Sequence, residues 1–167
     1  MAVTYEPIAT TTLSSTSSSV VFSSIPQTYT DLVVVFTGKN TTATDAMTFE
    51  CDINGDGGNN YSSTYIDIGN GTSGRGTGNN GLYIGQMSKN GTAWAVINFM
   101  DYSNTTTYKA TISRWGVLSA PFPGAGTIAG LWRDTSAITQ INFNRPAGEA
   151  GTFDVGCTFT LYGIKAA

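Results

Sequence analysis

Apolar residues recur at every second position along this chain and never sustain helical spacing, so its backbone must be organised as strands. The clearest segment is Ala46 to Ile53, where Met47, Phe49, Cys51 and Ile53 point one way and Thr48, Glu50 and Asp52 the other. The same period predicts half-buried strands at Thr107–Ser113, with Tyr108, Ala110 and Ile112 inward, and at Ala137–Phe143, with Thr139, Ile141 and Phe143 inward. Two segments carry apolar side chains on both faces: Asp31–Gly38, and Ala93–Tyr102 with Trp94 and Val96 opposed to Ile97 and Phe99. Strands covered on both sides need a second cover from a loop or a neighbouring subunit, which makes these two the candidates for interface contact.

Further strands are predicted at Ile8–Leu13, Ser18–Phe22, Leu82–Met87, Gly126–Arg133 and Cys157–Ile164, about ten in all. Turn residues separate them, and Asn90-Gly91 is a strong hairpin signal between its flanking strands. Gly69 to Gly81 holds six glycines in thirteen residues and reads as a long exposed loop. Many strands with regular turns and no helix favour a sandwich or jelly roll over an open sheet. With 167 residues there is enough chain for one core without metal or disulfide staples. Cys51 and Cys157 both fall in apolar strand patterns, as buried thiols do, and a disulfide between them stays open.

Charge excludes several functions. Only 11% of residues are charged, against about a quarter in an average domain, and the net charge is −3 with no basic stripe to neutralise phosphates. Nucleic acid is therefore not an expected partner. No apolar run approaches the length of a membrane-spanning helix, so no membrane partner is expected either. The N-terminal Met1 to Pro7 has neither a basic region nor an apolar core and does not read as a secretory leader.

Chemistry finds little to use. The chain has no histidine, which rules out Ser-His-Asp and Cys-His catalysis. Lys39, Lys89, Lys109 and Lys165 are expected in turns, on a polar strand face or at the chain end, where none serves as a desolvated base. Glu50, Asp52, Asp67, Asp101 and Asp134 are the carboxylates available for a glycosidase pair; Glu50 and Asp52 share a strand face, but that face reads as solvent-directed. Asp52-Ile53-Asn54-Gly55-Asp56-Gly57 matches the first half of an EF-hand loop, yet Ser63 stands where a bidentate Glu is required. An Asx- and Gly-rich turn is the favoured reading, with a weak Ca²⁺ site at Asp52, Asn54 and Asp56 left open. Gly74-x-Gly76-x-Gly78 beside Arg75 imitates a phosphate cradle but lacks the following helix. No cofactor is expected. Trp94, Trp115 and Trp132 fall on three strands and read as core or interface residues rather than a carbohydrate groove. Ala9–Ser19, almost all Thr and Ser, is suited to an edge strand or a pairing arm.

Several blocks in one order carry a resemblance: Ser18 to Val35, Ile53 to Ser62, Asp101 to Lys109, Leu131 to Thr139 and Phe159 to Ile164. Over most of its length the chain resembles the small jelly-roll structural proteins of tailed bacteriophages, cyanophages in particular. That resemblance implies an antiparallel β-sandwich of jelly-roll type, with residues 1–12 as a short arm or edge strand and 13–167 as the domain. It also implies a non-enzymatic virion component made in the host cytoplasm, most simply a capsid decoration (cement) protein. Its partners would be the major capsid protein and its own copies, as a homotrimer. A tail or receptor-binding accessory protein touching host surface glycan is the alternative. The interface candidates on this reading are Val3, Tyr5, Ile8, Trp94 and Trp132.

Overall fold

The structure, a computed structural model, describes residues 4–41, 47–69, 71–119 and 123–165. Among these residues it is all-β, with twelve strands: β1 Tyr5–Thr12, β2 Val20–Phe22, β3 Asp31–Gly38, β4 Met47–Ile53, β5 Tyr61–Asp67, β6 Thr72–Asn79, β7 Leu82–Met87, β8 Ala93–Phe99, β9 Lys109–Val117, β10 Gly124–Trp132, β11 Ile141–Asn144 and β12 Thr158–Ile164. They form an antiparallel sandwich of an eight-stranded sheet, β1-β12-β3-β8-β9-β10-β5-β6, and a four-stranded sheet, β2-β11-β4-β7. No helix among the described residues is long and apolar enough to cross a membrane.

The strand order is that of a jelly roll with two insertions. Setting aside the hairpins β5–β6 and β9–β10 leaves eight strands, ordered first-eighth-third-sixth in one sheet and second-seventh-fourth-fifth in the other. Both hairpins are spliced onto the same sheet, where β10 pairs with β5 in register Trp132↔Tyr61 to Gly126↔Asp67. The result is a sheet twice as wide as its partner.

The core lies between the sheets, as the alternation in β4 requires: Met47, Phe49, Cys51 and Ile53 are buried. Phe36, Phe49, Phe143, Phe153 and Phe159 interlock in tilted and edge-on pairs at its centre. Cys51 and Cys157 are both buried free thiols, with the Cys157 Sγ donating to the Lys39 carbonyl at 3.1 Å.

Four sequence expectations change. The segment Gly69–Gly81 is no loop, for it contains β6, paired along β5 from Asp67↔Thr72 to Tyr61↔Asn79. Asn90-Gly91 does not close a hairpin: β7 and β8 lie in different sheets, and neither residue takes a positive φ. The positive-φ pair is instead Asn54-Gly55, at 55° and 71°, a turn closed by the Asp56 N–H on the Ile53 carbonyl at 2.9 Å. In β9 the inward set is Lys109, Thr111, Ser113 and Trp115, while Tyr108, Ala110 and Ile112 face out. Pairing of Trp115 with Ala95 and Val117 with Ala93 buries the odd positions, and one large indole sets the phase for every residue of the strand. Finally, Thr139 lies before β11 and outside the core; Ile138 is the buried residue, and Thr139 is held by the Asn54 side chain.

Candidate binding cleft and outer sheet face

The Asx-rich turn after β4 is a structural hub. Asn54 Nδ2 donates to the Ala137 carbonyl, and its Oδ1 accepts from the backbone N–H groups of Thr139 and Gln140. The Asp56 carboxylate accepts from Gly58 N–H, Asn60 Nδ2 and Trp132 Nε1. Asp52 turns away toward β11, where the amides of Asn142 and Asn144 each donate to it at 2.7 Å. The three oxygen donors of the partial EF-hand pattern thus serve three separate networks, and no group of three or more metal-ligating side chains forms among the described residues.

A cleft of about 620 Å³ opens where the β5–β6 hairpin reaches past the edge of the small sheet. Thr48 and Glu50 of β4 and Tyr83 and Gln86 of β7 form one wall, being the outward residues of two paired strands. Ser63, Tyr65 and Asp67 form the other, on the inward side of β5. Tyr65 and Tyr83 meet edge to face at 5.6 Å between their centroids, joining the walls. Glycine clears the space: a Cβ at Gly74 would lie 2.5 Å from the Tyr65 hydroxyl, and one at Gly81 would lie 2.8 Å from the Glu50 carboxyl carbon.

Glu50 is the unusual group in this cleft. Its burial, reinforced by the negative charges of Asp52 and Glu149, pushes its carboxyl up to about 7. Asp67 is the other lining carboxylate, and its Oδ1 accepts from Gly69 N–H at 3.0 Å. Asp101 and Asp134 sit elsewhere, in loops that flank Lys109. The face shared by Glu50 and Asp52 is therefore not open solvent: Glu50 meets the cleft and Asp52 meets the amides of β11.

Lys109 contradicts its expected place on a polar face. It is 1% exposed, and its Nζ donates to the carbonyls of Thr107 and Thr135 at 2.8 and 3.1 Å, so it serves as a strut between two loops.

The interface candidates separate. Val3 lies outside the described residues. Tyr5 and Ile8 lie on β1, an edge strand paired with β12; Tyr5 is exposed and Ile8 half-buried. Trp94 is 45% exposed, and its indole covers Gly116, where a Cβ would lie 2.8 Å from the ring. Trp132 is corrected from interface to core, because it is 1% exposed, stacked on Tyr61 and bonded to Asp56. The outer face of the large sheet presents rows such as Val35, Val96, Arg114, Thr127 and Ile66, with few charges. At one end of four adjacent strands, Trp94, Leu118, Ile66 and Ile68 are all exposed.

Reading the chain by residue type missed Ser63, Tyr65, Tyr83 and Gln86. A signal was present, since Tyr61-x-Ser63-x-Tyr65-x-Asp67 and Gly74-x-Gly76-x-Gly78 each have the period of a strand.

Fold and surface together define a jelly-roll sandwich with a widened sheet, a polar cleft and an apolar outer end. No family model and no curated protein matches the chain. Among solved structures it is slightly similar to a kappa-carrageenase from Pseudoalteromonas carrageenovora in complex with an oligotetrasaccharide of kappa-carrageenan, with a TM-score of 0.22 and 9% identity. That alignment covers 81% of this chain and 65% of the carrageenase. It is also slightly similar to a putative pore-forming toxin from Bacteroides vulgatus, with a TM-score of 0.10 and 10% identity, covering 91% of this chain and 60% of that one. Likeness at this level carries no argument about fold or function.

Proposed function

We propose that the chain is a non-enzymatic structural protein of a phage particle, a capsid decoration protein that binds the major capsid lattice and assembles with its own copies as a homotrimer. One observation carries this reading: the exposed Trp94, Leu118, Ile66 and Ile68 at one end of the eight-stranded sheet. The solvated face of an antiparallel sheet is ordinarily polar, and a clustered apolar end marks a surface built to be covered. Trp94 is already held flat over Gly116, so it loses little rotamer freedom on docking. Cement function needs only such binding, because modest interfaces repeated by symmetry act together on a shell. The jelly-roll order adds support, being an architecture of viral coat domains.

The test is a cryo-EM reconstruction of the purified particle. Density for this sandwich repeated over the capsid lattice, with the Trp94 end turned to the shell, supports the reading. Absence from particles, or density confined to the tail, overturns it.

A further inference from the structure

The eight-stranded sheet overhangs its partner. β7 is the edge of the small sheet, packing beneath β9 and β10 and only lightly against β5, so among the described residues no strand of the small sheet lies squarely under the β5–β6 hairpin, whose inner face instead meets the outward side chains of β4 and β7 across the cleft. A face destined for a core carries Leu, Ile or Phe. This one carries Ser63, Tyr65 and Asp67, with Gly76 and Asn79 from β6. We infer that the cleft beneath this overhang is a binding site for a neutral saccharide, a role independent of where on a particle the chain resides.

Charge selects the ligand. Among the described residues no Lys or Arg lines the cleft, whereas Glu50 and Asp67 do, so phosphate, sulfated sugars and uronates meet like charge there. Among the described residues no three Asp, Glu, Cys or His side chains are grouped there as a cation site would require. A hydroxyl-rich neutral molecule fits what remains. The side chains of Asn59, Asn79 and Asn80 each offer a donor and an acceptor at the rim, and the Tyr65 and Tyr83 rings offer apolar surface to the C–H faces of a pyranose. At about 620 Å³ the cleft lies within the range of small-ligand sites.

A second observation points to an occupant. Ser63 is 3% exposed and its Oγ has no hydrogen-bond partner, and on the facing wall the buried Gln86 Oε1 has none either. Buried polar atoms in folded proteins are nearly always paired, and an orphan costs stability. Saccharide hydroxyls, which both donate and accept, suit both atoms. The half-buried Glu50 carboxyl beside them, raised by burial to about 7, exists in both ionised and protonated forms near neutral pH and so can accept or donate.

The experiment is a glycan array followed by calorimetric titration of the full chain with neutral hexose oligosaccharides, set against sulfated and uronate oligosaccharides, Ca²⁺ and spermine. The expected result is binding of a neutral oligosaccharide alone, lost in Thr72→Trp, which fills the cleft from the exposed edge strand, and weakened about tenfold in Ser63→Ala. Thr72→Trp touches no core residue, so it keeps the test readable should Ser63→Ala misfold. Preference for the anionic sugars or the cations, no binding of any neutral sugar, or full binding by Thr72→Trp overturns the inference. Particle occupancy of Thr72→Trp reads the capsid role separately and is expected to equal that of the wild type.

Discussion

The indole N–H of Trp132 donates to the Asp56 carboxylate at 2.7 Å, tying the last residue of β10 to the turn that leaves β4. This bond, ahead of those from Asn60 and Gly58, holds the Asp56 carboxyl below its ordinary value. A carboxyl lowered in the fold stabilises it above the unfolded pKa of about 3.9, and the contribution disappears as pH falls through the folded value. Trp132→Phe keeps an aromatic ring beside Tyr61 and deletes the donor along with part of the buried indole, so the pH dependence, which packing does not carry, isolates the bond. Urea unfolding at pH 7 is expected to show a loss of about 1–2 kcal/mol, and the drop in stability below pH 4 is expected to be shallower than in the wild type. An unchanged midpoint would show that the bond adds nothing.

Lys109 gives a prediction of larger size. Its ammonium satisfies the Thr107 and Thr135 carbonyls, one on each of two loops, and burial pulls its pKa down. Lys109→Met preserves the stem and leaves both carbonyls without a donor. The expected cost is about 2–4 kcal/mol by denaturant unfolding, with backbone amides around 101–107 and 133–136 exchanging faster. Lys109→Arg, longer and forked, is expected to recover only part of this.

Much of the architecture was legible in the chain because a buried strand advertises its period. β4 stands where alternation puts it and β3 and β7 where their apolar runs do, since each has one face fully in the core. β6 was read as loop because a strand with glycine at every second position has no apolar face to announce it; what it packs against is Tyr65. The phase of β9 was inverted because its inward positions are Lys109, Thr111 and Ser113, polar groups whose partners come from distant segments, such as the Ile84 carbonyl for Ser113. The cleft was hidden for the same reason, because its two walls belong to different sheets and meet only through the overhang of one.

The apolar end of the large sheet separates stability from docking. Trp94 is almost half exposed, so Trp94→Ser is expected to lower the unfolding free energy by about 1–2 kcal/mol, the loss of the indole's contact with Gly116, and to leave the fold intact. On the capsid reading the same variant lowers occupancy of purified particles about tenfold, measured by quantitative mass spectrometry. Gly116→Ala is expected to act similarly by another route, for its Cβ enters the space of the indole and lifts it from the sheet. Wild-type occupancy in both variants would remove Trp94 from the interface.

The two cysteines offer a check on the packing itself. Both thiols are buried, and burial pushes both pKa values up, that of Cys51 the further. A thiol needs its ionised form to attack a disulfide reagent, so the native protein is expected to be inert to an aromatic disulfide at pH 8 and to release two equivalents of chromophore on unfolding. Release of none from the unfolded chain would mean that the two cysteines are already bonded to each other.

Glu50 predicts an acid-side stability that runs opposite to Asp56. Burial first, then the charges of Asp52 and Glu149, raises its carboxyl from 4.5 to about 7, so between those values the folded chain holds a proton that the unfolded chain has released. Stability must therefore fall as pH rises through this window and reach its floor above it. Glu50→Gln keeps the shape and carries no charge to desolvate. Because the group is only half buried, the expected gain over the wild type is about 1 kcal/mol at pH 8 and close to zero at pH 4, read from urea midpoints across that range. Asp52 also has its pKa raised by burial and remains in the variant, which leaves a residual slope at the acid end. A difference between the two proteins that stays constant from pH 4 to 8 would mean that Glu50 titrates as an ordinary surface carboxylate, and that the cleft is wetter than its walls imply.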